Sequence, residues 1–434
     1  MDRVRLHYIM RRVLFVATLA TPLVMAANAA DFQISSFAAT GRISWTGASS
    51  NGVCTIEAAP APTGPWLPQR NLFSTNRVGQ ASLPTPSDNR FYRLLMADIS
   101  ATPSGYSNLL AAYGIIETIA GRGGGRSDVT NYWQPEFEGA PATNADLSRP
   151  HFAMADDAGN IYIADKDSHS ILEITSDGAI HTFAGTHVGG FNGDGPAAAT
   201  SLQLNFPNGE WVRGDGTVYI LDTDNGRIRR VDTFGVMTTL FTVAGGISTG
   251  RGLWVSADES LVYFASGTDL KKWTPIGGVQ LLNNQFKELG NLVVDSAGNL
   301  LVTDRADNRV FLVSPDGSRT VIAGDGGDNN GGDGFLALQT GLLEVRGVWP
   351  LPTGGYLLAT HKGSQVWYVD AAGIIHLLVD GAADNHAGDG AWFHSPGLKV
   401  SEVRSVALDA QGNLLIVEND YGYVRRIRFL PIRP

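Results

Sequence analysis

The sequence predicts an all-β protein, a six-bladed β-propeller closed by an N-terminal strand and preceded by a small β-sandwich module. Three observations predict it. A unit of four short strands recurs, its strands are β-branched and aromatic runs broken by Asx-Gly turns, and the strand missing from the last unit is found ahead of the first.

The unit is clearest in residues 150–185, PHFAMADDAGNIYIADKDSHSILEITSDGAIHTFAG. Phe152–Ala155 and Ile161–Ala164 read as the first two strands, joined by the turn Asp156–Asn160. Ser170–Thr175 and Ala179–Phe183 read as the third and fourth, joined by Ser176–Gly178. Such punctuation favours a meander of antiparallel strands, and one meander alone leaves a face uncovered, so stacking of repeats is the expected remedy.

The first turn and second strand, DDAGNIYIAD (156–165), recur at 213–222, 257–266, 295–304, 351–360 and 409–418. The fourth strand recurs at 178–185, 235–245, 317–324 and 373–381. The last unit ends after its third strand, whereas GIIETIAG (114–121) precedes the first unit, so the repeat count closes as a ring. The blades fall at about 150–185, 207–245, 250–284, 289–324, 345–381 and 403–430, the last completed by 114–121. Closure of this kind removes exposed sheet edges.

These residues resemble the NHL-repeat propellers, specifically the bacterial secreted type. The resemblance rests on P-x-x-x-A-x-D-x-x-G-N-x-Y-I-A-D, on NGRIRRVD (225–232), on the T-x-A-G strand endings and on the linker GFNGDGPAAATSLQLNFP (190–207). It covers about residues 113–430 and implies the fold. Its members include binding scaffolds, receptor sensor domains, RNA-binding domains and lyases, so it leaves function open.

The N-terminus carries Arg3, Arg5, Arg11 and Arg12 ahead of the apolar run 13–26 and the small-residue stretch Ala27-Asn28-Ala29. Residues 1–30 are read as a signal peptide, with Met10 a second candidate initiator and the mature chain secreted, periplasmic or at the cell surface. No later segment is apolar enough to be a transmembrane segment. A single cysteine, Cys54, excludes an intramolecular disulfide framework and reads as a buried apolar side chain. A net charge of −10 argues against a nucleic-acid partner.

Residues 31–105 form the smaller module, with strand-like runs at 42–47, 53–59, 64–73 and 91–99. The order W…TIE…GPW…FYRL is similar to fibronectin-type and accessory modules of secreted bacterial proteins, which space or anchor a partner domain. Trp66 is read as a core residue here. The polar stretch Thr102–Ser107 and residues 106–112 serve as the linker to the propeller, residues 113–434.

Alignment of the units places His151, Asn208, Arg251, Gly290, Arg346 and Arg404 at the start of the inner strands, where they would ring the mouth of the central channel. Arginine forks onto carboxylates, so the ring reads as an anion site with Arg251, Arg346, Arg404, Asn208 and His151 as ligand-binding residues. Glu210, at the next position on the same face, joins that set or pairs with a ring arginine.

Five further histidines lie near the same end, His169 and His361 in loops between second and third strands and His187, His386 and His394 in linkers. Pro150-His151 is similar to zinc-binding positions of the peptide-amidating lyases. That resemblance requires three such histidines, and the other ring positions carry Asn, Arg or Gly. Acidic, glycine-rich linkers offer Asp194, Asp328, Asp333 and Asp389 as oxygen ligands suited to calcium, against a purely turn-shaping role. Tyr132, Trp133, Phe191, Trp392 and Phe393 would stack on sugar rings or plug the linkers onto the blades.

No nucleophile elbow, zinc-protease helix or P-loop motif is present. The reading favoured is a binding scaffold that recognises an anionic small molecule or acidic glycan at the channel mouth, or a protein partner on the linker face. The alternative is a lyase or lactone hydrolase acting on a carboxylated or uronate-containing substrate, with His151, His361 or Tyr421 moving the proton.

Overall fold

A computed structural model of the 434-residue chain describes residues 13–15, 32–38, 40–84, 90–100, 104–124, 127–329 and 331–431. The expected signal peptide lies outside the described residues, apart from Val13–Phe15, whose backbone forms a short strand. Among the described residues the structure is all-β with one α-helix, and no helix there is long and apolar enough to cross a membrane. The chain divides into two compact units, the smaller comprising residues 1–115, 352–354 and 428–434 and the larger residues 116–351 and 355–427.

In the smaller unit, Arg90–Asp98, Gly52–Ala59 and Leu67–Ser74 form one sheet, and Gln33–Phe37, Arg42–Thr46 and Val78–Ser82 form a second. Alternation along Arg42–Thr46 turns Ile43 and Trp45 inward, where they meet Cys54, Ile56, Tyr92 and Leu94 of the other sheet in one core. Burial pushes the Cys54 thiol up to about 12, so it acts as a small apolar residue. Trp66 corrects the sequence reading. It is only half-buried and lies under the guanidinium of Arg93 at 4.6 Å, and Trp45 is the core tryptophan. Residues 106–112 also differ from expectation, because Gly105–Ala112 is a two-turn helix. Leu109 and Ala112 are buried, and the helix end is tied by Asn71 Nδ2 donating to the Ala112 carbonyl at 2.8 Å.

The larger unit contains six antiparallel sheets. Their first strands are Pro150–Ala155, Pro207–Val212, Leu253–Val255, Leu289–Val294, Val345–Pro350 and Val403–Leu408, and the sheets are numbered 1 to 6 in that order. Each first strand packs against the next, and Val403–Leu408 returns to Pro150–Ala155. The fourth strand of sheet 6 is Ile116–Ala120, which pairs antiparallel with Tyr423–Ile427. Apolar side chains fill the spaces between consecutive sheets: Ile163 and Leu172 of sheet 1 pack with Val417 and Val424 of sheet 6, all fully buried. Each such side chain contributes about 1.5–3 kcal/mol.

Repeated turn chemistry explains why the strands stop where they do. In the first turn of sheets 1, 4 and 6, the Oδ1 atoms of Asp156, Asp295 and Asp409 accept the backbone N–H of Asn160, Asn299 and Asn413 at 2.8 to 2.9 Å. Gly159, Gly298 and Gly412 supply the positive φ that closes the turn. At the other end of the second strand, the buried carboxylates of Asp165, Asp222, Asp304 and Glu418 accept linker N–H groups from Ser148, Asn205, Glu288 and Ser401 at 2.7 to 2.9 Å. These four acids therefore fix where each linker enters its inner strand.

Candidate functional site

The inner strands begin with a shared irregularity. Pairing with the second strand skips His151 in sheet 1, Asn208 in sheet 2, Arg346 in sheet 5 and Arg404 in sheet 6, and it skips Gly290 and Asn291 in sheet 4. A bulged residue is released from the ladder, which re-aims its side chain. The residue two positions earlier is left-handed in four sheets, at Arg149, Phe206, Glu344 and Glu402 with φ from 47° to 60°. This lead-in turns residue n and residue n+2 to one place, so Arg346 Nε donates to Glu344 Oε1 at 3.1 Å.

Four of the six predicted ring residues, His151, Arg251, Arg346 and Arg404, lie on a continuous polar network, whereas Asn208 Oδ1 is buried without a partner in it. Arg251 Nη1 lies 3.9 Å from Glu288 Oε1, and Glu288 is bound by Arg305. Arg305 Nη1 donates to Glu344 Oε1 at 3.0 Å, and His361 Nδ1 meets Glu344 Oε2 at 3.2 Å. Arg404 then closes the chain of contacts, with Nη1 2.6 Å from His151 Nε2 and Nη2 3.3 Å from His361 Nε2. Because Arg404 can only donate, both Nε2 atoms accept, and the free Nδ1–H of His361 donates to Glu344.

At the opposite ends of the inner strands Trp211 lies 6.1 Å from both Trp254 and Trp349, ring centroid to ring centroid. The charged cluster thus occupies one end of the inner-strand ring and an indole cluster the other.

Positive charge is buried at this end of the inner strands. Burial pulls Arg404 well below its ordinary pKa, and the charges of Arg346 and Arg251 add to the effect. Arg251 falls to about 9 from burial and then from Arg346, and burial lowers Arg346 as well. Guanidinium stays charged in proteins, so these directions reflect the cost of burying several positive charges close together. Arg251 Nε and Nη1, Arg346 Nη1 and Arg404 Nε are buried without a hydrogen-bond partner. Burial and Arg404 lower His151, burial lowers His361, and both are neutral at pH 7.

Sequence reasoning missed the carboxylates. Burial opposes ionisation of Glu344, but His361 and Arg346 hold it well below the usual range. Glu402 is pushed up to about 7 by burial and by neighbouring Asp420, whereas Asp420 is held low by His361, Glu402 and Arg149. Arg149 Nη2 donates to Asp420 Oδ1 at 2.8 Å. The signal was present in the sequence at Glu344 and Glu402, each two before a ring position, but only the left-handed lead-in makes that spacing meaningful.

Glu210 departs from expectation. It is buried, burial raises its pKa well above the ordinary value against the backbone N–H groups of Met154 and Ala164, and no ring arginine pairs with it. The arginines take Glu288 and Glu344 instead. Tyr421 is buried in the turn before Tyr423–Ile427.

Of the other histidines, His169 Nδ1 accepts the Phe206 N–H at 3.2 Å and His187 sits between Ser170 and Thr182. His386 meets Glu418 at 3.1 Å and His394 lies 3.1 Å from the Leu378 carbonyl. These four serve the linkers. The linker aspartates do the same: Asp194 binds Arg227 and Thr239, Asp333 accepts the Leu377 N–H, and Asp389 binds Arg425. Asp328 shares its linker with Asp333. Of the linker aromatics, Trp133 stacks on His187, Phe191 lies under Arg227 and Phe393 is buried.

One group among the described residues has metal-ligand spacing: His361, Glu402 and Asp420 offer atoms within 4.8 Å of one another. Arg404, 3.3 Å from His361 Nε2, and Arg149, on Asp420, put positive charge where a cation would sit.

No family model matches the chain, and no curated protein matches it. Among solved structures, a Bacteroides thetaiotaomicron protein of unknown function superposes with TM-score 0.59 at 11% identity, covering 93% of this chain and 99% of that one. An auxiliary nutrient binding protein from Bacteroides ovatus gives TM-score 0.55 at 10% identity, with 89% and 94% covered. Another from Bacteroides thetaiotaomicron gives 0.54 at 10% identity, with 92% and 98% covered. At such identity the likeness is one of fold, β-propeller-like, and extends over most of each chain.

Proposed function

We propose that the chain is an exported six-bladed β-propeller of the NHL-repeat type that binds a carboxylated ligand, a small acid or an acidic glycan, at the mouth of its central channel. Arg251, Arg346 and Arg404 are the anion-binding residues, with His151 and Asn208 beside them, and residues 31–105 act as a spacer or anchor. The observation that carries this reading is the set of buried guanidinium N–H groups without partners.

Each buried, unmade hydrogen bond of this kind costs about 1–3 kcal/mol, and a carboxylate supplies both the missing acceptors and the missing negative charge. The nutrient-binding descriptions of two fold neighbours agree in kind with a small-molecule ligand. A thermal-shift screen of residues 31–434 against uronate oligosaccharides, small carboxylates and sulfate tests the reading, because a ligand selective for the folded state raises Tm. A shift that Arg346→Ala and Arg404→Ala both abolish supports it, and no shift with any anion counts against it.

A further inference from the structure

We infer that the channel mouth is also an acid–base site: His361, oriented by Glu344, removes a proton from the carbon next to a bound carboxylate, and Glu402 protonates an oxygen leaving from the adjacent carbon. The inference rests on the anion-binding reading and adds a reaction to it, β-elimination on a β-alkoxy or β-hydroxy carboxylate such as a 4-linked uronate.

Geometry supplies each part. Glu344 Oε2 holds His361 Nδ1 at 3.2 Å, which fixes the tautomer and leaves Nε2 as the basic atom. The Glu344 carboxylate is taken up by His361, Arg346 and Arg305, so it is a positioning residue. Arg404 Nη2 now donates to His361 Nε2, and a carboxylate that draws this guanidinium to itself frees that lone pair for the proton. Glu402 is held in place by its left-handed backbone and by its N–H donating to Ser364 Oγ at 3.0 Å. It pairs with Asp420, and of two carboxyls so close one keeps a proton.

In the step, the carbon–hydrogen bond breaks and its proton goes to His361 Nε2. The electron pair forms a carbon–carbon double bond, the carbon–oxygen bond breaks, and the departing oxygen takes the proton of Glu402. His361 Nε2 lies 3.9 Å from Asp420 Oδ1, so the proton returns to the Glu402–Asp420 pair without any external reactant. The trio's atoms lie within 4.8 Å of one another, too close to sandwich a sugar ring, so base and acid act on one face and the elimination is syn.

The test incubates residues 31–434 with trigalacturonate, trimannuronate and, as the small-acid arm, malate. It follows the ultraviolet absorbance of the conjugated unsaturated acid, and calorimetry measures binding of the same probes. The expected result is product from one probe, with His361→Asn and Glu402→Gln each lowering kcat about 10²-fold or more while Kd changes only a few-fold. Glu402→Gln is nearly isosteric and serves if His361→Asn does not fold.

The rate should fall as pH rises through about 7, where Glu402 loses its proton. Asp420, Asp384 and Arg149 face Glu402, and Glu344, Asp420, Arg346 and Arg404 face His361, so these groups set the profile. Binding without product at any pH from about 5 to 9 overturns the inference and leaves the binding reading standing. Product formation unchanged in both variants also overturns it. Neither binding nor product overturns both readings.

Discussion

Arg404 donates through Nη1 to His151 Nε2 at 2.6 Å and through Nη2 to His361 Nε2 at 3.3 Å, so one buried cation binds two imidazoles whose pKa values burial already lowers. Arg404→Gln removes that charge and leaves Glu344 on His361. The pKa values of His151 and, less, of His361 should then rise, while burial still holds both below the ordinary value of about 6.5, read by NMR titration of the ring protons. The sign for stability follows. Wild-type folded histidines bind protons less readily than unfolded ones, so their contribution is present above about pH 6.5 and is lost as pH falls through their lower folded values. Arg404→Gln should flatten that part of the curve.

Glu402 works in the opposite direction. Its folded pKa is raised to about 7 by burial and Asp420, so its contribution to stability is present below the unfolded value and lost as pH rises through about 7. Glu402→Gln keeps the shape and removes the titration. Between about pH 5 and 8 the melting temperature of wild type should fall relative to that of Glu402→Gln, and parallel curves would show that Glu402 ionises normally.

Much of the fold was legible in the sequence because its turns use local chemistry. Asp156, Gly159 and Asn160 make their turn through a carboxylate and one glycine φ, and the same spacing recurs at Asp295 and Asp409. The ring positions His151, Arg346 and Arg404 were legible for the same reason. Their carboxylate partners were not, since Glu344 and Glu402 reach the mouth only through left-handed backbone that no residue type there announces. Residues 106–112 read as linker because a Pro, Ser and Gly approach resembles a break, whereas burial of Leu109 supports the helix Gly105–Ala112.

Glu210 separates local chemistry from the site. A buried acid whose ionisation burial opposes and that no arginine offsets adds little, and replacing such a group by an apolar one is often neutral or stabilising. Glu210→Leu should unfold within about 1 kcal/mol of wild type or above it in urea titration and should retain anion affinity. Lost affinity would return Glu210 to the binding set.

The pairing of Ile116–Ala120 with Tyr423–Ile427 tests how sheet 6 is completed. Ile116 is fully buried, so Ile116→Ala should cost about 2–5 kcal/mol in denaturant unfolding. Glu117 binds Arg426 at 2.6 Å on partly exposed side chains, and Glu117→Ala should cost no more than about 1 kcal/mol. Equal costs would mean that the strand is held by its charges and not by its burial.

The most direct measurement of the central claim is calorimetric titration of wild type and of Arg346→Ala/Arg404→Ala with the carboxylate that gives the largest thermal shift. Each charge-assisted hydrogen bond lost is worth about 1.5–3 kcal/mol, so the double variant should bind at least about 10²-fold more weakly while remaining folded. Equal affinity in the two proteins would contradict the account and place the ligand away from the buried arginines.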